Sequence, residues 1–249
     1  MEEAKKSWVN PLIIGLCAVA GCIFLGVGLS NIRSEGEHVI AATGSAGVDF
    51  EADTVIWRGS FSAVAPTSKE AYSKIKSDSD KVKNYLLKND ISEDEIVFNS
   101  VDISRTYKQI YDLNGDYAGA EEDGYQLTQG VTVTSSNLDN VEKVSRDISN
   151  LLDQGVELTS GAPEYYYSQL DTLKLDLIDK ASQNARERVN IMAKNTGAVL
   201  GKLKKSGLGV FQITAKNSGT ESYSADGAFD TSARHKTATI TVRLEYDIK

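Results

Sequence analysis

The spacing in this chain that comes nearest to a binding motif is Asp112, Asn114, Asp116 and Asp123. Oxygen ligands at alternate loop positions can wrap a hard cation such as calcium. The helix-loop-helix calcium pattern needs glycine sixth in its loop, but here Gly115 is fourth and Tyr117 sixth. An acidic hairpin tip is the reading these residues favour. Tyr165, Tyr166 and Tyr167 suit an aromatic platform for a glycan or peptide, although strands collect aromatics for packing alone. The run Thr43, Gly44, Ser45, Ala46, Gly47 lacks the lysine and the strand-to-helix setting of a phosphate loop and reads as a turn.

Nucleophile and metal chemistry find little to work with. The only two cysteines, Cys17 and Cys22, lie in an apolar stretch, so the rest of the chain has no disulfide, thiolate nucleophile or cysteine metal site. His38 and His235 are far apart in sequence, and no local spacing supplies the further ligands that zinc requires. No catalytic residue, cofactor or metal is expected, and the chain is not read as an enzyme.

Charge is informative about partners. The net charge of −8 belongs to residues 33–249, because Glu2, Glu3, Lys5 and Lys6 cancel. An acidic surface repels phosphate backbones, which disfavours nucleic acid as a partner. Between residues 180 and 205 the only acidic residue is Glu187, against Lys180, Arg186, Arg188, Lys194, Lys202, Lys204 and Lys205. Residues 109–142 hold seven carboxylates, Glu121, Glu122 and Asp123 among them, and no lysine or arginine. Charge runs are ordinarily solvated faces, but two opposite patches on one subunit can also meet between subunits, head to tail. Lys202, Lys204, Lys205, Arg186, Arg188, Glu121, Glu122 and Asp123 are therefore the expected contacts of a homo-oligomer.

Residues 9–32 form a stretch of twenty-four without a charged side chain. As a helix at ~1.5 Å per residue it would span roughly 36 Å, enough to cross a hydrocarbon core of ~30 Å. It exceeds the ~7–15 residues of a secretory apolar region, which favours a signal anchor. Val19, Ala20, Gly21 and Cys22 also fit a lipoprotein acylation site, and residues 28–30 fit signal cleavage. Lys5 and Lys6 before the stretch, against Arg33 alone after it, place the N-terminus inside. The expected layout is a cytoplasmic 1–8, a transmembrane 9–32, a polar tether 33–37 and an extracytoplasmic domain 38–249, on the periplasmic or outer side of the cell membrane.

Periodicity supplies the elements of that domain. Strand signals begin at His38, break at residues 44–47 and continue through 54–64, where Val55, Trp57, Phe61 and Ala63 alternate with polar residues. Thr67 and Glu70 form a capping box for a helix to Asn89, with Tyr72, Ile75, Val82, Tyr85 and Leu86 as its apolar face. A strand over 96–110, a loop over 112–124 and a strand over 125–134 read as a hairpin. A second helix spans 138–153 and stops at Gly155, and a strand follows over 156–160, extendable to Tyr167. The longest helix spans 169–195, with Leu173, Leu177, Ala181, Ala185, Val189 and Met192 as its stripe. Strands over 202–215 and 236–248 close the chain. Between them, residues 217–234, rich in serine and glycine, are expected to be mobile and dispensable for folding. The order strand, helix, strand, strand, helix, strand is the ferredoxin-like βαββαβ pattern, followed by a long helix and a hairpin. The class is α+β, an antiparallel sheet with about three packed helices after one N-terminal transmembrane helix.

Ala46-Gly47-Val48-Asp49-Phe50-Glu51-Ala52-Asp53-Thr54-Val55-Ile56-Trp57 resembles the opening strand of the SIMPL-domain proteins. Gly197-Ala198-Val199-Leu200-Gly201, after the helix carrying Asn184-Ala185-Arg186-Glu187-Arg188, resembles a second signature of that family. The asparagine-to-aspartate start of the middle helix and the closing strand extend the likeness over 38–249. The resemblance implies a bacterial envelope protein of undefined biochemistry, sometimes linked to oxidative-stress defence, with a relative that assembles into ring-like or channel-like homo-oligomers. It carries no catalytic residue over. Joined to the charge pattern, it suggests a membrane-anchored, non-enzymatic, self-associating structural or stress-related protein, able to bind other envelope proteins. The alternative is a ligand- or metal-binding sensor module of the cell envelope.

Overall fold

The computed structural model describes residues 15, 19–25, 38–219 and 224–249. The fold is α+β, with two antiparallel sheets. Residues 19–25 are helical, and Val19, Ile23, Phe24 and Leu25 are exposed. Most of the expected 9–32 span, with the tether at 33–37, lies outside the described residues. Among those described, no helix is long and apolar enough to cross a membrane.

The first sheet has the order β1-β9-β7, with β8 also paired to β9; its strands are β1 (Val39–Glu51), β7 (Leu200–Leu208), β8 (Gln212–Ala215) and β9 (His235–Ile248). The second has the order β3-β4-β2-β5, with β6 also paired to β2. It contains β2 (Thr54–Ala65), β3 (Ile96–Tyr111), β4 (Tyr117–Ser135), β5 (Leu158–Ser160) and β6 (Glu164–Tyr166). The helices are α1 (Ser68–Lys88), α2 (Leu138–Asp147) and α3 (Leu170–Thr196).

The chain divides into two compact units. The larger holds residues 44–184 and 208–242. In it β2 alternates as expected, with Val55, Trp57, Phe61 and Ala63 buried against Ala71, Ile75, Val82 and Leu86 of α1, Val141 and Val144 of α2, and Leu127, Val131 and Val133 of β4. Fully burying a side chain of this size is worth roughly 1.5–3 kcal/mol, so this cluster dominates the unit's stability. Thr67 caps α1 by accepting the Glu70 N–H, and its hydroxyl donates to the Glu70 carboxylate. Asn137 caps α2 by accepting the Asn140 N–H. The smaller unit draws, among the described residues, on 38–43, 185–207 and 243–249. There Ile40, Ala42, Val189 and Ala193 form a core with Leu200, Tyr246 and Ile248.

Several expected boundaries move. Residues 43–47 are not a turn but the middle of β1, because Gly47 allows a close approach to β9: a Cβ there would lie 3.1 Å from Thr239 Cγ2. Residues 112–124 are not one loop; only 112–116 turn, and β4 begins at Tyr117. The 202–215 strand is two, β7 and β8, which both pair with β9. After Asp147 the second helix tightens into 3-10 turns over Ile148–Gln154 before Gly155, which takes φ 75°. Residues 156–167 contain two short strands, β5 and β6. On α1, Tyr72 is exposed and Asp78 buried instead. On α3 the buried stripe keeps strict four-residue spacing, Leu177, Ala181, Ala185, Val189 and Ala193, leaving Met192 exposed.

Candidate functional site

The β3–β4 hairpin is far longer than sequence periodicity suggests. β2 pairs with β4 only as far as Ala65 opposite Tyr125, whereas β3 continues alongside β4 to Tyr111 opposite Tyr117. Residues 117–124 and their β3 partners are thus a two-stranded arm, reaching about 25 Å past the last β2 pair at ~3.3 Å per residue. Gly124 sits at its root with φ 139°, where a Cβ would lie 2.6 Å from the Ala65 carbonyl oxygen. Only glycine tolerates that backbone and that approach. A register shift between Thr106 and Tyr107 falls at the same point, so the arm departs from the sheet through an irregularity.

The arm exposes Tyr107, Ile110, Tyr111 and Tyr117, and Leu113 at its tip is wholly exposed. Tyr111 and Tyr117 meet edge to face with ring centroids 6.3 Å apart. An isolated two-stranded ribbon is at best marginally stable in water, so one this apolar suits an interface.

The acidic residues divide. At the tip, Asp112 Oδ1 accepts the N–H groups of Asn114 (2.8 Å) and Asp116 (2.9 Å). That carboxylate closes the turn, and Asp123 lies well up β4, so the four oxygen residues of the calcium reading do not form one loop. Glu121 faces Lys108 across the arm, and Glu122 pairs with Arg105 at 3.3 Å. Asp139 and Glu142, in contrast, belong to α2. They meet Arg234, which also bonds Glu51 at 2.6 Å. These carboxylates raise the Arg234 pKa above its already high value, Asp139 contributing most and Glu51 next.

Of the basic residues, Lys202, Lys204 and Lys205 are exposed on β7, an edge strand whose one neighbour among the described residues is β9. Arg186 and Arg188 are exposed on α3, with Arg188 donating to the Thr43 carbonyl at 3.1 Å.

The three tyrosines form no platform. Tyr165 is buried and donates to Glu142 at 2.9 Å; burial first, and this bond second, push its pKa up to about 12. Tyr166 donates to Glu164, and Tyr167 packs on Phe50 at 5.0 Å. With Phe229 and Lys236 they enclose a gap with room for no more than about one water molecule.

Sequence reasoning missed Lys236. It is 2% exposed, its ammonium donates to the Asp230 carbonyl, and burial pushes its pKa down against the opposing Asp230 charge. Strict alternation along β9 was the available signal, since position 236 shares a face with Ala238 and Ile240. Lys236 anchors the segment expected to be dispensable. Gln212 does so too, donating to Ser224 O and accepting the Ala228 N–H at 2.7 Å, and Tyr165 N–H reaches Thr231 O at 2.7 Å. Residues 224–234 are therefore stitched to the sheet; the remainder includes 220–223, outside the described residues.

The Glu51-Ala52-Asp53 corner joins β1 to β2. Ala52 N–H donates to Arg234 O, and Asp53 accepts the N–H (2.9 Å) and hydroxyl (2.6 Å) of Ser168. Burial alone would raise the Asp53 pKa, but the bonds from Ser168 and from the Thr54 hydroxyl together outweigh it and lower it. The chain matches the family model described as SIMPL, protein of unknown function (DUF541), over residues 40–246. It belongs to that family. No curated protein matches it.

Proposed function

We propose that this SIMPL protein is held at the cell membrane by residues 9–32, displays residues 38–249 on the extracytoplasmic side and works by self-association, without enzymatic chemistry. The observation that carries the reading is the β3–β4 arm, which presents Tyr107, Ile110, Tyr111, Leu113 and Tyr117 to solvent on a ribbon too thin to bury them. The absence of charge over 9–32 supports the anchor, as does the exposed apolar helix at 19–25. On fold, the order β3-β4-β2-β5 with α1 and α2 inserted supports a ferredoxin-like βαββαβ core in the larger unit.

Two measurements test the proposal. Light scattering of the full chain in detergent should report a mass several times that of one chain; a monomer at high micromolar concentration and low salt would overturn self-association. Protease added to intact spheroplasts should digest residues 38–249, and full protection would overturn the topology.

A further inference from the structure

The outer half of β4 and the whole of β7 are open sheet edges among the described residues. Past Tyr125 no described strand lies on the β2 side of β4, and β7 has β9 on one side only. Such edges offer rows of unpaired N–H and C=O groups. Residues 117–124 of the arm and the nine residues of β7 have nearly equal length. Their charges are opposite: Glu121, Glu122 and Asp123 on one, Lys202 and Lys205 on the other.

We propose that the arm of one copy docks by its β4 edge along β7 of a second copy, as an added strand. The inference rests on the self-association reading and names its contact. Charge selects this pairing over the two symmetric ones. Two arms would juxtapose carboxylates and two β7 strands would juxtapose ammonium groups, whereas the crossed pairing brings unlike charges together. Lysines on an edge strand are a common guard against pairing with its own kind, and the guard does not act against an acidic strand. The contact also gives the arm a third strand and places Leu203 and Leu208, both exposed on β7, near the arm's tyrosines. Because the two surfaces differ, each copy keeps one free arm and one free edge, the condition for head-to-tail assembly.

Cysteine cross-linking of the full chain in membranes tests this, in a Cys17→Ser, Cys22→Ser background that leaves no other cysteine. Ala120→Cys and Leu203→Cys proteins are expressed separately and together, treated with a short bismaleimide and resolved by mass. A cross-linked dimer is expected only on co-expression. It should be lost with Lys202→Glu and Lys205→Glu, and regained when Glu121→Lys and Asp123→Lys are added in the partner. A dimer from Ala120→Cys alone would show arm meeting arm and overturn the pairing. No dimer in any membrane, with an oligomer still seen by light scattering, would overturn the pairing and leave self-association standing. A monomer by light scattering would overturn both.

Discussion

Replacing residues 218–233 with a short glycine-containing turn should destabilise the larger unit, although composition alone marks this segment as expendable. The replacement removes the Asp230 carbonyl from the buried Lys236 ammonium and the Ser224 and Ala228 partners from Gln212. It also strips the Ile213 N–H and C=O of their bonds to Ala228 and Asp230. Each buried polar group left without a partner costs roughly 1–3 kcal/mol. Partial rehydration brings the total loss to about 4 kcal/mol, of which the shorter loop returns about 1 kcal/mol in chain entropy. At ~2–4 °C per kcal/mol for a domain of this size, Tm should fall by roughly 6–12 °C. Circular dichroism of the full chain in detergent reads the shift. Adding Lys236→Met should recover part of the loss, because the uncompensated charge is then gone. A Tm within about 2 °C of wild type would refute the claim that residues 224–234 hold the sheet.

Three further outcomes are expected. Gly124→Ala should cost more than about 1 kcal/mol in urea denaturation, since φ 139° and the nearby Ala65 carbonyl both oppose a Cβ; an unchanged midpoint would mean that the arm's root is not constrained. Asp53 is more acidic folded than unfolded, so its contribution is full above its ordinary value of 3.8 and is lost as pH falls through the folded pKa. The fall of Tm below about pH 4 should therefore be shallower in Asp53→Asn, and parallel acid limbs would count against the Ser168 bonds. Reversing Lys202, Lys204 and Lys205 to glutamate should shift the chain toward monomer in light scattering with little change in Tm, as should high salt, because exposed charges are screened within ~8 Å at physiological ionic strength. An oligomer indifferent to both would rule out a charge-guided contact.

Local patterns settled much of this protein before any tertiary contact was known. The two-residue period of β2, the Thr67 cap of α1 and the four-residue stripe of α3 depend on which face of one element is apolar, and neighbouring residues carry that information. The family signatures are equally local, and the Glu51-Ala52-Asp53 corner within them proved to be a hydrogen-bonded junction. The tertiary structure decided what depends on distant partners. Residues 117–124 read as loop because their glycines, alanines and carboxylates lack a strand's apolar alternation; they are strand because β3 supplies a ladder of main-chain bonds that no side-chain pattern encodes. Residues 224–234 read as free because they contain little that is apolar, yet they are held by polar bonds from Gln212 and Lys236 on the flanking strands and from Tyr165, far from them in sequence. The acidic run over 109–142 is continuous in sequence, but its two ends lie at opposite ends of a strand roughly 60 Å long, so only its first half belongs to the arm. Charge and periodicity are properties of a segment, whereas an open edge or a buried ammonium exists only once the rest of the chain is in place around it.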